Sequence, residues 1–307
     1  MSAVGRFAPT PSGRMHLGNL FSALLSWLSV RSQGGEWILR MEDLDTQRCR
    51  QDYAQRLRQD LIRLGLTWDR EAPPQSMRTE AYQEAFQQLR DRDLLYPCYC
   101  TRGRLHSVNA PHRADGVYVY DGRCRNLSPT ERAAFDRPPA WRLRVPDRTL
   151  SVWDGVQGAY TENLAGDCGD FIVRRADSVF VYQLAVVVDD AAAGVTEVVR
   201  GRDLLSSTPR QLYLQELLGY PHPRYYHVPM LLAPDGRRLS KRDADAGLAE
   251  LRPRLSAEEL MGKLAYLAGF HPSASPRTAR ELLAEFDWAQ VPKTDIRLPE
   301  SLFNADK

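Results

Sequence analysis

Apolar positions in the first third of the chain switch between two rhythms, the short continuous runs of strands and the three-to-four-residue recurrence of helices. Val4–Phe7 is a short strand candidate, and Ala8–Arg14 after it is a loop rich in Pro, Ser and Gly. Leu20–Val30 carries apolar residues at helical spacing, and Gly34-Gly35 ends that helix. Glu36–Met41 reads as a second strand. Asp45 is placed to cap a helix running to about Leu64, with Gly65 as its C-terminal stop. A third helix covers Glu80–Asp91. Strands alternating with helices in this order predict an α/β fold with a parallel sheet and helices packed over it.

From Tyr96 to about Asp170 the rhythm breaks into turn formers, prolines and short alternating runs (Ala140–Val145, Ser151–Val156). This predicts a small mixed α+β subdomain over 96–170, inserted between residues 1–95 and 171–245 of the parallel-sheet domain. The α/β rhythm resumes with Phe180–Val188 and a strand at Thr196–Arg200. A helix over Pro209–Leu218 follows, capped by Thr208 with Pro209 in its first turn. Val228–Leu232 reads as a further strand, closed by the turn Pro234-Asp235-Gly236. A basic loop, Arg237–Arg242, comes next. Ser256–Gly269 and Thr278–Phe286 are helical, so 246–307 forms a short C-terminal helical region.

Composition adds little beyond a folded, globular chain. The 307 residues are 43% hydrophobic and 26% charged, and the net charge of +2 gives no global attraction to nucleic acid. Any RNA contact must therefore use a local basic surface. No apolar run approaches the roughly 20 residues that span a bilayer, and the N-terminus lacks a signal-peptide core. A cytoplasmic location is the default expectation. Five cysteines do not make a disulfide framework. Cys98, Cys100 and Cys124 fall close together, which in a reducing compartment points to metal.

Two segments carry candidate chemistry. In Phe7-Ala8-Pro9-Thr10-Pro11-Ser12-Gly13-Arg14-Met15-His16-Leu17-Gly18-Asn19 a strand ends and a helix begins. Ligands of open α/β sheets sit beyond the carboxyl ends of strands, and helix N-termini attract phosphate. Gly18 lets a nucleotide ring approach the backbone, and His16 can donate to a phosphate oxygen. Leu239-Ser240-Lys241-Arg242 follows a late strand, where a loop lysine is a point charge suited to a triphosphate. Either segment alone reads more plainly as an ordinary turn or a solvated basic loop. Their order at opposite ends of one domain is what gives them specificity.

Together these segments resemble the two signature motifs of class I aminoacyl-tRNA synthetases. Arg6–Gly13 is similar to the leading segment of the glutamyl and glutaminyl branch. Arg40–Asp45, Tyr182–Asp190 and Gly194–Gly201 are further matches, so the resemblance spans about Gly5 to Gly269. It implies a Rossmann-like catalytic domain. Two departures matter. Asn19 stands where histidine is common, and Asn cannot carry charge, which leaves His16 and Lys241 as catalytic residues. The chain also ends too soon after Lys241 for an anticodon-binding domain, an arrangement that resembles the glutamyl-queuosine tRNA(Asp) synthetase family. That family makes glutamyl-adenylate without tRNA and then esterifies queuosine at the wobble position of tRNA(Asp). Val186, where the glutamyl enzymes usually carry asparagine, fits an altered amino-acid pocket.

The resemblance implies that Arg6 and Arg200 hold substrate carboxylate, with a hydroxyl contact from Tyr182. Glu42 would take the α-ammonium, and the backbone of Phe7, Ala8, Pro9 and Thr10 would line the same pocket. ATP, with Mg²⁺ on its phosphates, would sit against His16, Gly18, Asn19 and Lys241. A plainer reading of Arg200 is a strand-end ion pair with Asp203, and one of Glu42 is a helix cap. A protein acting as a monomer is the expectation.

Cys98-Tyr99-Cys100 puts two thiols on one side of an extended segment, and Cys124 can reach them if the chain between folds back. A structural Zn²⁺ needs a fourth donor. Tyr120, Tyr118, His106 and His112 are the candidates, and bare chemistry favours a histidine. In the resembling family a Tyr-Asp-Gly-x-Cys pattern supplies a tyrosine oxygen, which implies Tyr120. The alternative is three buried thiols packing as small hydrophobes. Cys49 and Cys168 have no partner pattern.

Overall fold

The computed structural model describes residues 2–101, 119–239, 247–299 and 301–303. The early alternation becomes β1 (Val4–Phe7), β2 (Glu36–Arg40) and β3 (Arg70–Ala72), each parallel to the next. Helices Leu17–Ser32 and Gln51–Arg63 cross between them. Then come β4 (Leu95–Cys98), β5 (Ala140–Leu143), the hairpin of β6 (Thr149–Asp154) and β7 (Gly158–Asn163), and β8 (Phe171–Arg174). Next are β9 (Glu197–Gly201), β10 (Arg224–Val228), and the short β11 (Leu231–Leu232) and β12 (Ile296–Arg297).

Among the described residues, seven strands form one sheet in the order β3-β2-β1-β9-β10-β6-β7. All pairs are parallel except the β6–β7 hairpin. β4, β5 and β8 form a separate antiparallel sheet. The α/β architecture with a mostly parallel central sheet is as the alternation predicted.

The hydrophobic effect holds helices to both faces of the main sheet. Helix Leu17–Ser32 carries Leu20, Phe21, Leu24, Leu25 and Leu28 at no more than 1% exposure, packed against β1, β9 and the C-terminal helix Ala257–Leu267. Gly5 permits that contact, since a Cβ there would meet Val30 Cγ2 at 2.3 Å. Helices Thr79–Asp91, Tyr182–Ala192 and Thr208–Leu218 contribute to the second core. Val198 and Val199 belong to different cores, as the period-two alternation of a strand requires.

Several elements differ from expectation. The helix placed after Asp45 begins only at Gln51, and Arg50 stands at its N-cap without a side-chain cap bond. Asp45 instead closes a separate turn through its carbonyl, which accepts from Arg48 and Cys49 N–H. Asp43 is drawn away by the Ser76 N–H and hydroxyl, at 2.8 and 2.7 Å. The apolar run Phe180–Val188, assigned to neither element type from sequence, lies mostly in a helix, Tyr182–Ala192. Val228–Leu232 is not one strand: β10 stops at Val228, Pro229 interrupts it, and Leu231–Leu232 pairs with Ile296–Arg297. Thr278–Phe286 reduces to a 3₁₀ turn at Glu281–Ala284. Within 96–170, the β6–β7 hairpin joins the main sheet beside β10 through Tyr225 opposite Asp154. Among the described residues no helix is long and apolar enough to cross a membrane.

Candidate active site

The carboxyl ends of β1, β2 and β9 deliver side chains to one place, as open parallel sheets do. A cavity of about 590 Å³ lies there. Its walls include Arg6, the Phe7–Thr10 segment, His16, Gly18, Asn19, Glu42, Tyr182 and Arg200, so every predicted site residue for glutamate and ATP among the described residues is brought together. Lys241 lies outside the described residues. Of the nearest described residues on either side, Leu239 lines the cavity, Gly247 bridges to His16, and Leu248 N–H donates to the Met15 carbonyl at 3.1 Å. The chain entering and leaving the lysine loop therefore meets the first strand-to-helix turn.

That turn is well fixed. His16 caps its helix by accepting the Gly18 N–H on Nδ1 at 3.1 Å, and Asn19 Oδ1 accepts the His16 N–H at 3.2 Å. Asn19 thus completes a capping box, a job that requires no charge. With Nδ1 used as an acceptor, a neutral His16 holds its proton on Nε2. A Cβ at Gly18 would lie 3.1 Å from the His16 ring, so a side chain there would crowd both the histidine and anything beside it.

Beneath the cavity is a buried charge network. Arg6 Nε lies 3.2 Å from Asp190, Arg40 Nη1 lies 2.6 Å from the same carboxylate, and Arg40 Nη2 lies 3.2 Å from Glu42. Burial pushes the Asp190 carboxyl up, but Arg40 and Arg6 outweigh it and hold the group below its ordinary range. Burial wins at Glu42, whose pKa is raised against the pull of Arg40 and Arg6. Burial alone would lower the Arg40 pKa; the carboxylates of Asp190, Glu42 and Asp189 reverse that, and it stays charged. Glu42 is not a helix cap, and one bond to Arg40 leaves its carboxylate with acceptor capacity for an ammonium.

Arg200 is not paired with Asp203. Its Nε donates to His227 Nε2 at 2.9 Å, and Nη1 donates to Gln211 Oε1 at 2.8 Å and Tyr182 Oη at 3.2 Å. Nη2 donates to Thr208 Oγ1 at 2.9 Å and the Leu204 carbonyl at 3.5 Å. The Tyr182 hydroxyl thus shares the guanidinium that it was expected to assist. Sequence reasoning missed His227, Gln211 and Thr208, which carry no motif and reach Arg200 only through the tertiary fold. Val186 does not line the cavity: it is 1% exposed in the second core, on the helix that begins with Tyr182.

The cysteines also converge. Thiols of Cys98, Cys100 and Cys124 lie within 4.8 Å of one another, and none of the five cysteines forms a disulfide. Tyr120 Oη is 3.5 Å from Cys98 Sγ and 3.6 Å from Cys100 Sγ, and Cys100 and Cys124 are 3.7 Å apart. Ligands of a tetrahedral Zn²⁺ with Zn–S bonds of about 2.3 Å sit roughly 3.8 Å from each other, so the spacing fits a metal. Arg142 donates to Cys98 Sγ at 3.2 Å and stacks 3.7 Å over the Tyr120 ring, a cation placed to offset several thiolates. Tyr118, His106 and His112 lie outside the described residues.

Comparison with known proteins agrees with this geometry. The family model described as tRNA synthetases class I (E and Q), catalytic domain, matches residues 3–275. Proteins named glutamyl-Q tRNA(Asp) synthetase are similar throughout: that of Symbiobacterium thermophilum is 46% identical, over 96% of this chain and 95% of its own. That of Thiobacillus denitrificans is 48% identical over 81% of each. Among solved structures, the glutamate-tRNA synthetase of Elizabethkingia anophelis superposes with a TM-score of 0.85 at 27% identity, covering 99% of this chain and 69% of that one. The chain belongs to the class I tRNA synthetases (E and Q) and carries their catalytic domain.

Proposed function

We propose that the protein activates glutamate with ATP, without tRNA, and transfers the glutamyl group to queuosine at the wobble position of tRNA(Asp). The observation that carries this reading is the single cavity into which Arg6, Glu42, Tyr182 and Arg200 converge beside His16 and the ends of the lysine loop. The 43–48% identical relatives named for that activity support the choice of acceptor.

Arg6 holds carboxylate with the Nη2 group that its bonds to Asp190 and Val199 do not use, Arg200 exchanges its contacts with Tyr182 and the Leu204 carbonyl for the other carboxylate, and Glu42 takes the ammonium. A glutamate carboxylate oxygen then attacks the α-phosphorus of ATP, forming the acyl-phosphate bond as the bond to pyrophosphate breaks. The protein's share is orientation and charge stabilisation. His16 and Lys241 steady the phosphates, Gly18 and Asn19 form the floor beside them, and Mg²⁺ travels with the triphosphate. A hydroxyl oxygen of the queuosine base next attacks the acyl carbon, AMP leaves, and the hydroxyl proton is lost. Residues 1–95 and 171–245 form the catalytic domain, 96–170 the insertion and 246–307 the helical region. The β6–β7 hairpin ties the insertion into the main sheet.

Acylation of tRNA(Asp) with and without queuosine tests the reading. Labelled glutamate is expected on the modified base alone. Label on the terminal adenosine of tRNA(Glu) would replace the proposal with ordinary charging of the 3′ end.

Zn²⁺ held by Cys98, Cys100, Tyr120 and Cys124 is part of the proposal, with a structural role. Cys124→Ser is expected to lower zinc content from one per chain toward none and to loosen the strand that ends at Cys98. Elemental analysis giving an unchanged stoichiometry would remove the cysteines from metal binding.

A further inference from the structure

Behind Arg200 runs a buried relay across three neighbouring strands, β9, β10 and β6. Arg200, His227 and Asp154 are 6%, 0% and 1% exposed. Asp154 Oδ1 accepts the backbone N–H groups of Val156, Gln157 and His227, at 3.0, 2.8 and 3.1 Å. Its Oδ2 lies 2.6 Å from His227 Nδ1. A carboxylate has no proton to donate, so Nδ1 carries the proton and Nε2 is left as a bare acceptor. Arg200 Nε donates to that acceptor at 2.9 Å.

We infer that Asp154 fixes the tautomer of His227 and so the orientation of Arg200, which makes Asp154 and His227 positioning residues for the substrate carboxylate. The inference rests on the glutamate pocket proposed above. A guanidinium is planar, so fixing Nε fixes the directions in which both terminal nitrogens point. Carboxylate recognition by paired N–H groups depends on those directions. His227 is also held neutral: burial pushes its pKa down to about 4 and Arg200 adds to that, against the opposing pull of Asp154. The Tyr225 ring, stacked 6.0 Å away, and the Thr208 hydroxyl, 3.3 Å from Nε2, complete its surroundings. Asp154 comes from the hairpin within the 96–170 segment, so the insertion reaches the amino-acid pocket through this pair.

Asp154→Asn separates orientation from packing. The asparagine keeps the size, and three backbone N–H groups hold its oxygen at the Oδ1 position. Its NH₂ then faces His227 Nδ1, the ring proton moves to Nε2, and two donors confront each other at Arg200 Nε. In ATP–pyrophosphate exchange the KM for glutamate is expected to rise on the order of 10-fold to 100-fold, while the KM for ATP stays within about twofold. Histidine ¹⁵N spectra, with the signal identified by its loss in H227Q, are expected to show Nδ1–H in the wild type and Nε2–H in D154N. An Nε2–H tautomer in the wild type overturns the inference even if D154N does not fold. An unchanged glutamate KM in D154N, or an equal rise for ATP, overturns it as well. Wild-type protein lacking glutamate-dependent exchange defeats the functional reading and the inference with it.

Discussion

Replacing Arg40 with methionine is expected to destabilise the fold by about 3–5 kcal/mol, the effect of removing one partner from a buried ion pair. Methionine keeps most of the apolar volume, so lost packing is the smaller part. The larger part is the charge left behind. Arg40 is 1% exposed and contacts Asp190 at 2.6 Å and Glu42 at 3.2 Å. Without it Asp190 retains, among the described residues, Arg6 as its close cation, and Glu42, already raised by burial, takes up a proton rather than remain charged. The pocket then loses its anion as well as its floor. Urea denaturation measures the loss. A midpoint unchanged from the wild type would mean that the network contributes nothing to stability.

Lys241→Ala is expected to act in the opposite way, on rate and not on stability. A lysine opposite a triphosphate stabilises charge that builds up on the departing pyrophosphate. Removing one such group from a preorganised site costs about 100-fold to 1000-fold in rate. A surface substitution typically shifts stability by about 0.5 kcal/mol or less. The anchors of the loop support the assignment, since Leu239 lines the cavity and Gly247 bridges to His16. Pyrophosphate exchange at saturating glutamate and ATP reads the effect, with a melting curve beside it. Normal exchange would take Lys241 out of the mechanism; a collapsed melting curve would make it structural.

The site was legible in the sequence through motifs taken together. Arg6, Glu42 and Arg200 were singled out through the resemblance, and they stand close to the carboxyl ends of strands, which parallel sheets gather at one edge. Gly18 and His16 sit in a strand-to-helix turn that alone reads as ordinary, and only its pairing with the later basic loop gave them a role. The relay behind Arg200 was not legible. His227 and Asp154 are 73 residues apart and meet only because β6 leaves the insertion to pair with β10, a choice of sheet order that no local pattern encodes. Asp45 misled for a similar reason: its residue type fits a cap, but the chain turns there and the helix waits until Gln51. Val186 misled because a departure within a motif was read as a pocket change on a face that turned out to be core. At the cysteines, spacing brought three thiols together, whereas the close approach of Tyr120 followed from the family pattern and not from chemistry.

The central claim is that one cavity holds glutamate and ATP in reacting geometry with no RNA present. ATP–pyrophosphate exchange by the purified wild-type protein, with glutamate, glutamine and aspartate compared and tRNA omitted, tests it most directly. Exchange that requires glutamate and is far weaker with the other two is the predicted result. No exchange until tRNA is added, or equal exchange with all three amino acids, would contradict it.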